Sequence, residues 1–327
     1  MSGILVGLKV SDAALERIRA AAGEMRVDYI PELSRRSKMT DEIRAGAVEV
    51  VKEAEIIFAT AGVDTDLLMQ ADKLKWLQVT SADVDRLVRS GLVGRGFDIT
   101  TVQGMTSDSI GEWVLGVIVM FSKSLHRAVR NQAIAKWDAC IEDELTGKTC
   151  GIVGYGAIGH GVAQRAKVFG MDVVATRRQA DLATEEDGVT VLPHGELPNL
   201  LARSDYVVLS VPLTDETREM IGAREFGEMK ESAVLINVAR GTIVDQPAMI
   251  DALEQGVLAG ARLDVTTPEP LPAESPLWRM ENVILTPHIS ADVDDYWERA
   301  TGVFLDNLDR FSRDAQMTNM VSETRAY

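Results

Sequence analysis

The sequence predicts an α/β protein built from two parallel, doubly wound sheets. Short apolar, β-rich runs recur along the 327 residues, at 4–8, 55–60, 74–79, 98–102, 150–156, 171–176, 205–211, 233–238 and 282–286. Helix-like stretches separate most of them, the pattern of strand–helix–strand units. Two long helical candidates, at 107–137 and 293–314, bracket the second half of the chain.

In chain order, "MSGILVGLKVSD" is too short and too weakly basic for a secretory signal and reads as a first strand. The runs up to residue 102 supply one sheet. Next comes "SDSIGEWVLGVIVMFSKSLHRAVRNQAIAKW", read as one long helix that Ser107 is placed to cap, apolar enough to be buried on several sides. The runs from 150 to 286 supply the second sheet. In "VDDYWERATGVFLDNLDRFSRD", Trp297, Ala300, Phe304, Leu308 and Phe311 follow helical spacing. The chain is therefore expected to leave a first domain, build a second over 103–289, and return, so that 1–102 and 290–327 form one discontinuous domain.

Composition narrows the function. A formal charge of −16 argues against generic binding to nucleic acid or to an anionic membrane, and no apolar run approaches the roughly 18–20 residues of a membrane span. Two cysteines, Cys140 and Cys150, make a disulfide framework unexpected and fit a reducing, cytoplasmic setting. Cys150 reads as a buried strand thiol. The histidines at 126, 160, 194 and 288 have no short-spaced ligand partners, so no metal is expected.

"GIVGYGAIGHGVAQRAKVFG" contains Gly154-x-Gly156-x-x-Gly159 between a strand and a helix with Ile158, Val162, Ala166 and Phe169 on one side; Gly170 closes that helix. In this setting the glycines serve a tight turn, close approach to a pyrophosphate, and helix–strand packing. The first helical turn, at Ala157 and Ile158, offers N–H groups to phosphate. A Rossmann dinucleotide-binding unit follows. The end of the next strand, about 20 residues on, reads the adenosine ribose. A carboxylate there favours NAD, but this chain has "VVATRR", with no acid before Asp181. Arg177 or Arg178 can pair a 2′-phosphate, which points to NADP(H) with NAD(H) possible.

"VLINVARGTIVDQPAMIDAL", "LDVTTPEPLPAESPLW" and "NVILTPHISA", with the glycine turn and "LKWLQVTSADVD", resemble the signature blocks of the D-isomer-specific 2-hydroxyacid dehydrogenases over most of the chain. The resemblance implies a flavodoxin-like substrate domain beside the Rossmann domain, with a cleft between them. It also implies catalytic residues Arg240, Glu269 and His288. These residue types suit the chemistry: Arg240 to hold a 2-oxo carboxylate and polarise its carbonyl, His288 to donate a proton, and Glu269 to orient the imidazole and favour its protonated form. Cofactor contacts carried over are Ser107, Val211, Pro212, Ala239 and Asp264. The substrate-carboxylate loop maps to Ala82, Asp83 and Val84, together with Arg240.

Two positions depart from the family pattern. Asp83 stands where the family usually has Gly, and a second carboxylate about 4 Å away costs roughly 1 kcal/mol in water and about 4 at an effective dielectric of 20. Thr266 stands where an aromatic is common. The expected activity is transfer of hydride from NADPH to a small 2-oxo acid to give a D-2-hydroxy acid, because the arginine pair resembles that of NADPH-dependent glyoxylate/hydroxypyruvate reductases. The alternatives are an NAD-linked 2-hydroxyacid dehydrogenase and a non-enzymatic NAD(P)(H) sensor. Glu269 disfavours a formate-dehydrogenase-like role, where the family branch has Gln. A homodimer is expected, with the apolar segment 110–121 as candidate interface.

Overall fold

The computed structural model describes residues 3–34, 39–82, 84–139, 143–178 and 180–322. The chain divides into two compact units, Met1–Met105 with Asp294–Tyr327, and Thr106–Val293. The first runs β1 (Gly3–Val6), α1 (Asp12–Ala21), β2 (Arg26–Tyr29), α2 (Asp41–Glu53), β3 (Ile56–Ala59), α3 (Thr65–Leu68), β4 (Trp76–Val79), α4 (Asp85–Arg89) and β5 (Asp98–Thr100). The second opens with α5 (Ser107–Ser122), α6 (Leu125–Ala133), β6 (Thr149–Val153), α7 (Ala157–Val168), β7 (Asp172–Arg177), β8 (Thr184–Glu186) and β9 (Val189–Pro193). It continues through α8 (Leu197–Arg203), β10 (Tyr206–Leu209), α9 (Ala223–Glu228), β11 (Val234–Asn237), α10 (Gln246–Glu254), β12 (Gly260–Leu263) and β13 (Val283–Leu285); α11 (Tyr296–Ser312) then rejoins the first unit.

In the first unit five parallel strands take the order β2-β1-β3-β4-β5, the flavodoxin-like arrangement. Parallel strands are buried on both faces, which is why they read as continuous apolar runs. Ala47, Val51 and Leu67 of α2 and α3 cover one face. Ala14 and Ile18 of α1, with Phe304 and Leu308 of α11, cover the other. Phe304 stacks on Phe58 at 4.4 Å and on Trp76 at 5.2 Å. Beside these rings lies a buried polar chain. The Trp76 indole donates to Thr100 Oγ1, that hydroxyl donates to Gln78 Oε1, and the Asn307 amide donates to the same oxygen. Each buried polar group thus has a partner, and α11 is pinned to the sheet it returns to. Of the helical positions expected to face inward, Trp297 is instead about half exposed, because it lies in the first turn of α11.

In the second unit eight strands take the order β13-β12-β11-β10-β6-β7-β9-β8, parallel except for β8. Counted from β6 outward this is the Rossmann order, and the chain reverses direction across the sheet between β6 and β10. Val207 of β10 lies opposite Gly151 of β6 and Leu235 of β11. Helices α5 and α7 cover one face; α8, α9 and α10 cover the other. Cys150 is fully buried on β6, and burial pushes its thiol up to about 12, so it is inert.

Four strands escape the apolar-run pattern: β2, β8, β9 and β12. β2 and β8 are polar edge strands. β12 carries Arg262, a fully buried cation lying 4.2 Å over the Phe121 ring and donating to the carbonyls of Ala261 and Asn282. The long helix expected over 107–137 is two helices. Ser124 takes a left-handed backbone (φ 50°) between α5 and α6, and Thr106, not Ser107, is the N-cap residue. The segment 110–121 is not an exposed face either: Ile110, Val114, Leu115, Val117 and Ile118 are buried in the core of their own unit.

Helices α5 and α7 meet at glycine. A Cβ on Gly111 would lie 2.8 Å from the Gly161 carbonyl oxygen, and one on Gly161 would lie 2.6 Å from that of Ser107. Backbone cannot yield as a side chain can. Gly161→Ala is expected to lower the unfolding free energy in urea by roughly 1–3 kcal/mol. Gly116→Ala on exposed α5 surface, where a Cβ meets nothing within 4 Å, is expected to leave stability unchanged or raise it by up to about 1 kcal/mol.

Candidate active site

The glycine turn sits between β6 and α7 at the point where the sheet order reverses, the usual crevice for a ligand in an open parallel sheet. Gly154 has φ 103°, and a Cβ there would lie 2.7 Å from Val211 Cγ1 and 3.0 Å from the Ser210 carbonyl. Gly159 passes over the turn so closely that a Cβ would lie 2.4 Å from the Gly154 oxygen. Gly156 is different: a Cβ there meets nothing within 4 Å. It is the N-cap of α7, and no side chain caps that helix. The first N–H groups of a twelve-residue helix therefore end at an open glycine, the arrangement a pyrophosphate requires. The residues fit a dinucleotide. Val211 and Pro212 follow β10 beside this turn, where the Pro212 carbonyl accepts from Thr217 Oγ1 at 2.7 Å.

At the end of β7, both arginines of "TRR" face carboxylates. Arg177 donates Nη1 to Glu186 Oε1 and Nη2 to Glu186 Oε2, each at 2.7 Å, and Nε to the Tyr155 carbonyl at 3.4 Å. Its guanidinium lies 5.2 Å from the centre of the Tyr155 ring, which stacks on His160 at 3.9 Å. The hydrogen bonds from Arg177 hold Glu186 below the ordinary carboxylate range. Arg178 lies beside Glu216 at 3.7 Å, a looser pair with both side chains more than half exposed.

The remaining candidates converge from three strand ends. After β11, the Asn237 side chain accepts from the Ala239 N–H at 3.0 Å and donates to the Arg240 carbonyl at 3.0 Å, clamping the turn that carries Arg240. Gly241 follows, and a Cβ there would lie 2.1 Å from the Thr266 oxygen, so only glycine lets the Arg240 turn touch the loop after β12. In that loop the Thr266 N–H donates to Glu269 Oε1 at 3.1 Å, and Glu269 Oε2 lies 2.9 Å from His288 Nδ1. Thr266 is thus part of the turn that orients Glu269. Gln246 of α10 holds the same loop by exchanging two hydrogen bonds with Thr267, at 2.6 and 2.9 Å.

His288 follows β13 with a left-handed backbone (φ 58°), and Asp264 holds it there. The buried Asp264 carboxylate accepts from Thr286 Oγ1 at 2.5 Å and from the N–H groups of Ile289 and Ser290 at 2.9 Å each. The His288 N–H donates to the Asp264 carbonyl at 2.9 Å. With Nδ1 engaged by Glu269 and the imidazole about half exposed, Nε2 is the nitrogen left to meet a substrate.

Known proteins resemble this chain in sequence and fold. Residues 115–290 match the family model for the D-isomer specific 2-hydroxyacid dehydrogenase NAD binding domain. The chain belongs to the D-isomer specific 2-hydroxyacid dehydrogenases. A glyoxylate reductase of Korarchaeum cryptofilum is 33% identical over 84% of this chain and 85% of its own. A D-isomer specific 2-hydroxyacid dehydrogenase family protein of Aeromonas salmonicida superposes with a TM-score of 0.82 at 30% identity, covering 98% of this chain and 99% of that one. A D-isomer specific 2-hydroxyacid dehydrogenase of Xanthobacter autotrophicus, solved with NADPH and MES, gives 0.83 at 26% identity, with 99% of each chain covered.

As an NAD(P)-dependent 2-hydroxyacid dehydrogenase, the protein has Arg240, Glu269, His288, Asp264 and Ala239 in its second unit, with the glycine turn. Ser107 is the first residue of α5 in that unit, its carbonyl facing Gly161. Ala82 and Val84 belong to the first unit, Ala82 exposed after β4 and Val84 buried; Asp83 lies outside the described residues. Asn237, Thr286, Gln246 and Glu186 support the site without being marked by the sequence: Asn237 acts within its own turn, whereas the others act across nine or more residues. Among the described residues no helix is long and apolar enough to cross a membrane. For this dehydrogenase, Asp264→Ala leaves the N–H groups of Ile289 and Ser290 without an acceptor, and urea unfolding is expected to show a loss of roughly 2–4 kcal/mol.

Proposed function

We propose that the protein reduces small 2-oxo acids of the glyoxylate/hydroxypyruvate kind to D-2-hydroxy acids, with NADPH as preferred donor and NADH accepted. The observation that carries the reading is the 2.9 Å contact between His288 Nδ1 and Glu269, which joins a loop fixed by Asp264 to one packed against the Arg240 turn. The dinucleotide is held by Gly154, Gly156, Ala157, Ile158 and Gly159 at its pyrophosphate, and by Ser107, Val211, Pro212, Ala239 and Asp264 toward its nicotinamide. Three of the roughly four acceptor positions of Asp264 serve the His288 loop, and the last is available to a carboxamide. Arg178 reads the 2′-phosphate, its side chain more than half exposed just after β7.

A bound nicotinamide supplies or takes up the hydride. Arg240 binds the substrate carboxylate and draws electron density from the adjoining carbonyl oxygen. Protonated His288 donates its Nε2 proton to that oxygen, and Glu269 keeps the ring oriented and stabilises its positive charge while Nδ1 remains bonded. In the oxidative direction neutral His288 takes the hydroxyl proton. The first unit acts as the substrate domain, with the loop at Ala82, Asp83 and Val84 binding the carboxylate. Relatives named glyoxylate reductase and glyoxylate/hydroxypyruvate reductase B, at 33% and 31% identity, support the substrate class.

Initial rates with NADPH and NADH across a panel of 2-oxo acids test the reading, and no turnover by a protein that binds cofactor would end it. His288→Ala and Arg240→Ala are each expected to lower kcat/KM by about 10²–10⁴-fold with cofactor binding retained. Undiminished turnover in either variant would remove that residue from the mechanism. The reading includes a homodimer joined along α6 and the segment after it, supported by exposed Leu125, Val129, Ile134 and Trp137. Sedimentation should show a dimer that Val129→Glu dissociates; a monomeric wild type would refute it.

A further inference from the structure

The end of β7 presents two arginines, but it is not a basic patch. Arg177 is matched by Glu186 and Arg178 by Glu216. The two pairs differ in kind. The Arg178 pair is long, at 3.7 Å, and mostly exposed, so a phosphate can displace its carboxylate. The Arg177 pair is a parallel two-bond fork at 2.7 Å, and its third edge is directed at the Tyr155 carbonyl. The fork geometry is the one in which guanidinium and carboxylate hold each other best. Thr184 Oγ1 adds a third bond to Glu186 at 3.3 Å, and Tyr155, stacked on His160, floors the guanidinium. Glu186 also brings a negative charge of its own to the end of β7.

We propose that Glu186 is a specificity-determining residue that acts through Arg177. It neutralises that guanidinium and fixes it against the glycine turn, leaving Arg178 to meet the 2′-phosphate with a single charge. Glu186 thereby restrains the preference for NADPH and keeps NADH usable. The proposal rests on the reading that the end of β7 contacts the adenosine ribose. It assigns opposite signs to two neighbouring side chains: removing the charge of Arg178 weakens NADPH binding, and removing the charge of Glu186 strengthens it.

Fluorescence titration of the full-length protein with NADPH and with NADH, without substrate, measures both. In Glu186→Gln the NADPH Kd is expected to fall about fivefold to tenfold while the NADH Kd changes less than about twofold. The freed charge should also make NADPH affinity fall more steeply with added salt than in wild type. A merely structural role predicts weakening of both cofactors in proportion and no change in salt slope. Such a result, an unchanged NADPH Kd, or weaker NADPH binding overturns the proposal. Arg177→Ala alone would uncover the Glu186 carboxylate, so the double variant Arg177→Ala/Glu186→Gln, which removes the whole neutral pair, is expected to leave the NADPH/NADH ratio within about threefold of wild type. A loss of tenfold or more in the double variant would make Arg177 the phosphate reader and refute the assignment. Arg178→Ala tests the underlying reading separately: if it leaves NADPH binding intact, the ribose site is elsewhere, whatever Glu186 does.

Discussion

Backbone-to-backbone approach around α7 is the constraint on which the nucleotide-binding unit depends. Gly159 lies over the Gly154 carbonyl, and Gly161 meets the Ser107 carbonyl of α5, at distances no side chain permits. These contacts lower α7 onto β6 and lock α5 beside it, which fixes where the helix N-terminus points. The open N-terminus of α7 is therefore a consequence of packing: once the helix is seated on glycine, its first N–H groups face the open Gly156, as the proposed phosphate site requires. Conformational freedom matters at Gly154, which alone of the three has a positive φ. The same motif thus uses glycine for two separate physical reasons.

A second close approach, Gly241 against Thr266, does for the loops of Arg240 and Glu269 what the first does for the glycine turn. Arg240, Glu269 and His288 lie 19 or more residues from one another in sequence, yet one path of direct contacts links them: the Arg240 turn to Thr266, Thr266 to Glu269, and Glu269 to His288. Each link is short and involves backbone on at least one side, except the last. A site assembled this way holds its side chains through strand ends, whose positions the parallel sheet fixes, more than through the loops themselves.

How much of this was legible follows from range. Buried parallel strands announce themselves as apolar runs, so β1, β3, β4, β5, β6, β7, β10, β11 and β13 could be read locally. β12 could not, because Arg262 interrupts its pattern and is accommodated by the Phe121 ring, 141 residues away in sequence. The split between α5 and α6 turns on one left-handed residue, Ser124, which carries no glycine signal. In the site, Arg240, Glu269 and His288 stood in recognisable blocks, and so did Asp264, but its bonds to Thr286, Ile289 and Ser290 did not. "VVATRR" showed two cations; their carboxylates, Glu186 and Glu216, come from other segments, so the sequence overstated the local positive charge.

Asp264 bears on why a histidine can serve at a turn that strains it. A left-handed backbone at a non-glycine residue costs about 1 kcal/mol, and His288 has no short polar side chain of its own to offset it. Three hydrogen bonds to one buried carboxylate, each worth about 1.5–3 kcal/mol when the acceptor is charged, exceed that cost comfortably. The surplus is what fixes the ring. Because the donors flank His288 on both sides, at Thr286 and at Ile289 and Ser290, the backbone cannot relax in either direction without breaking one of them. Glu269 then has only the rotation of the ring to settle. The imidazole stays about half exposed, which the proposed proton transfer to a substrate requires.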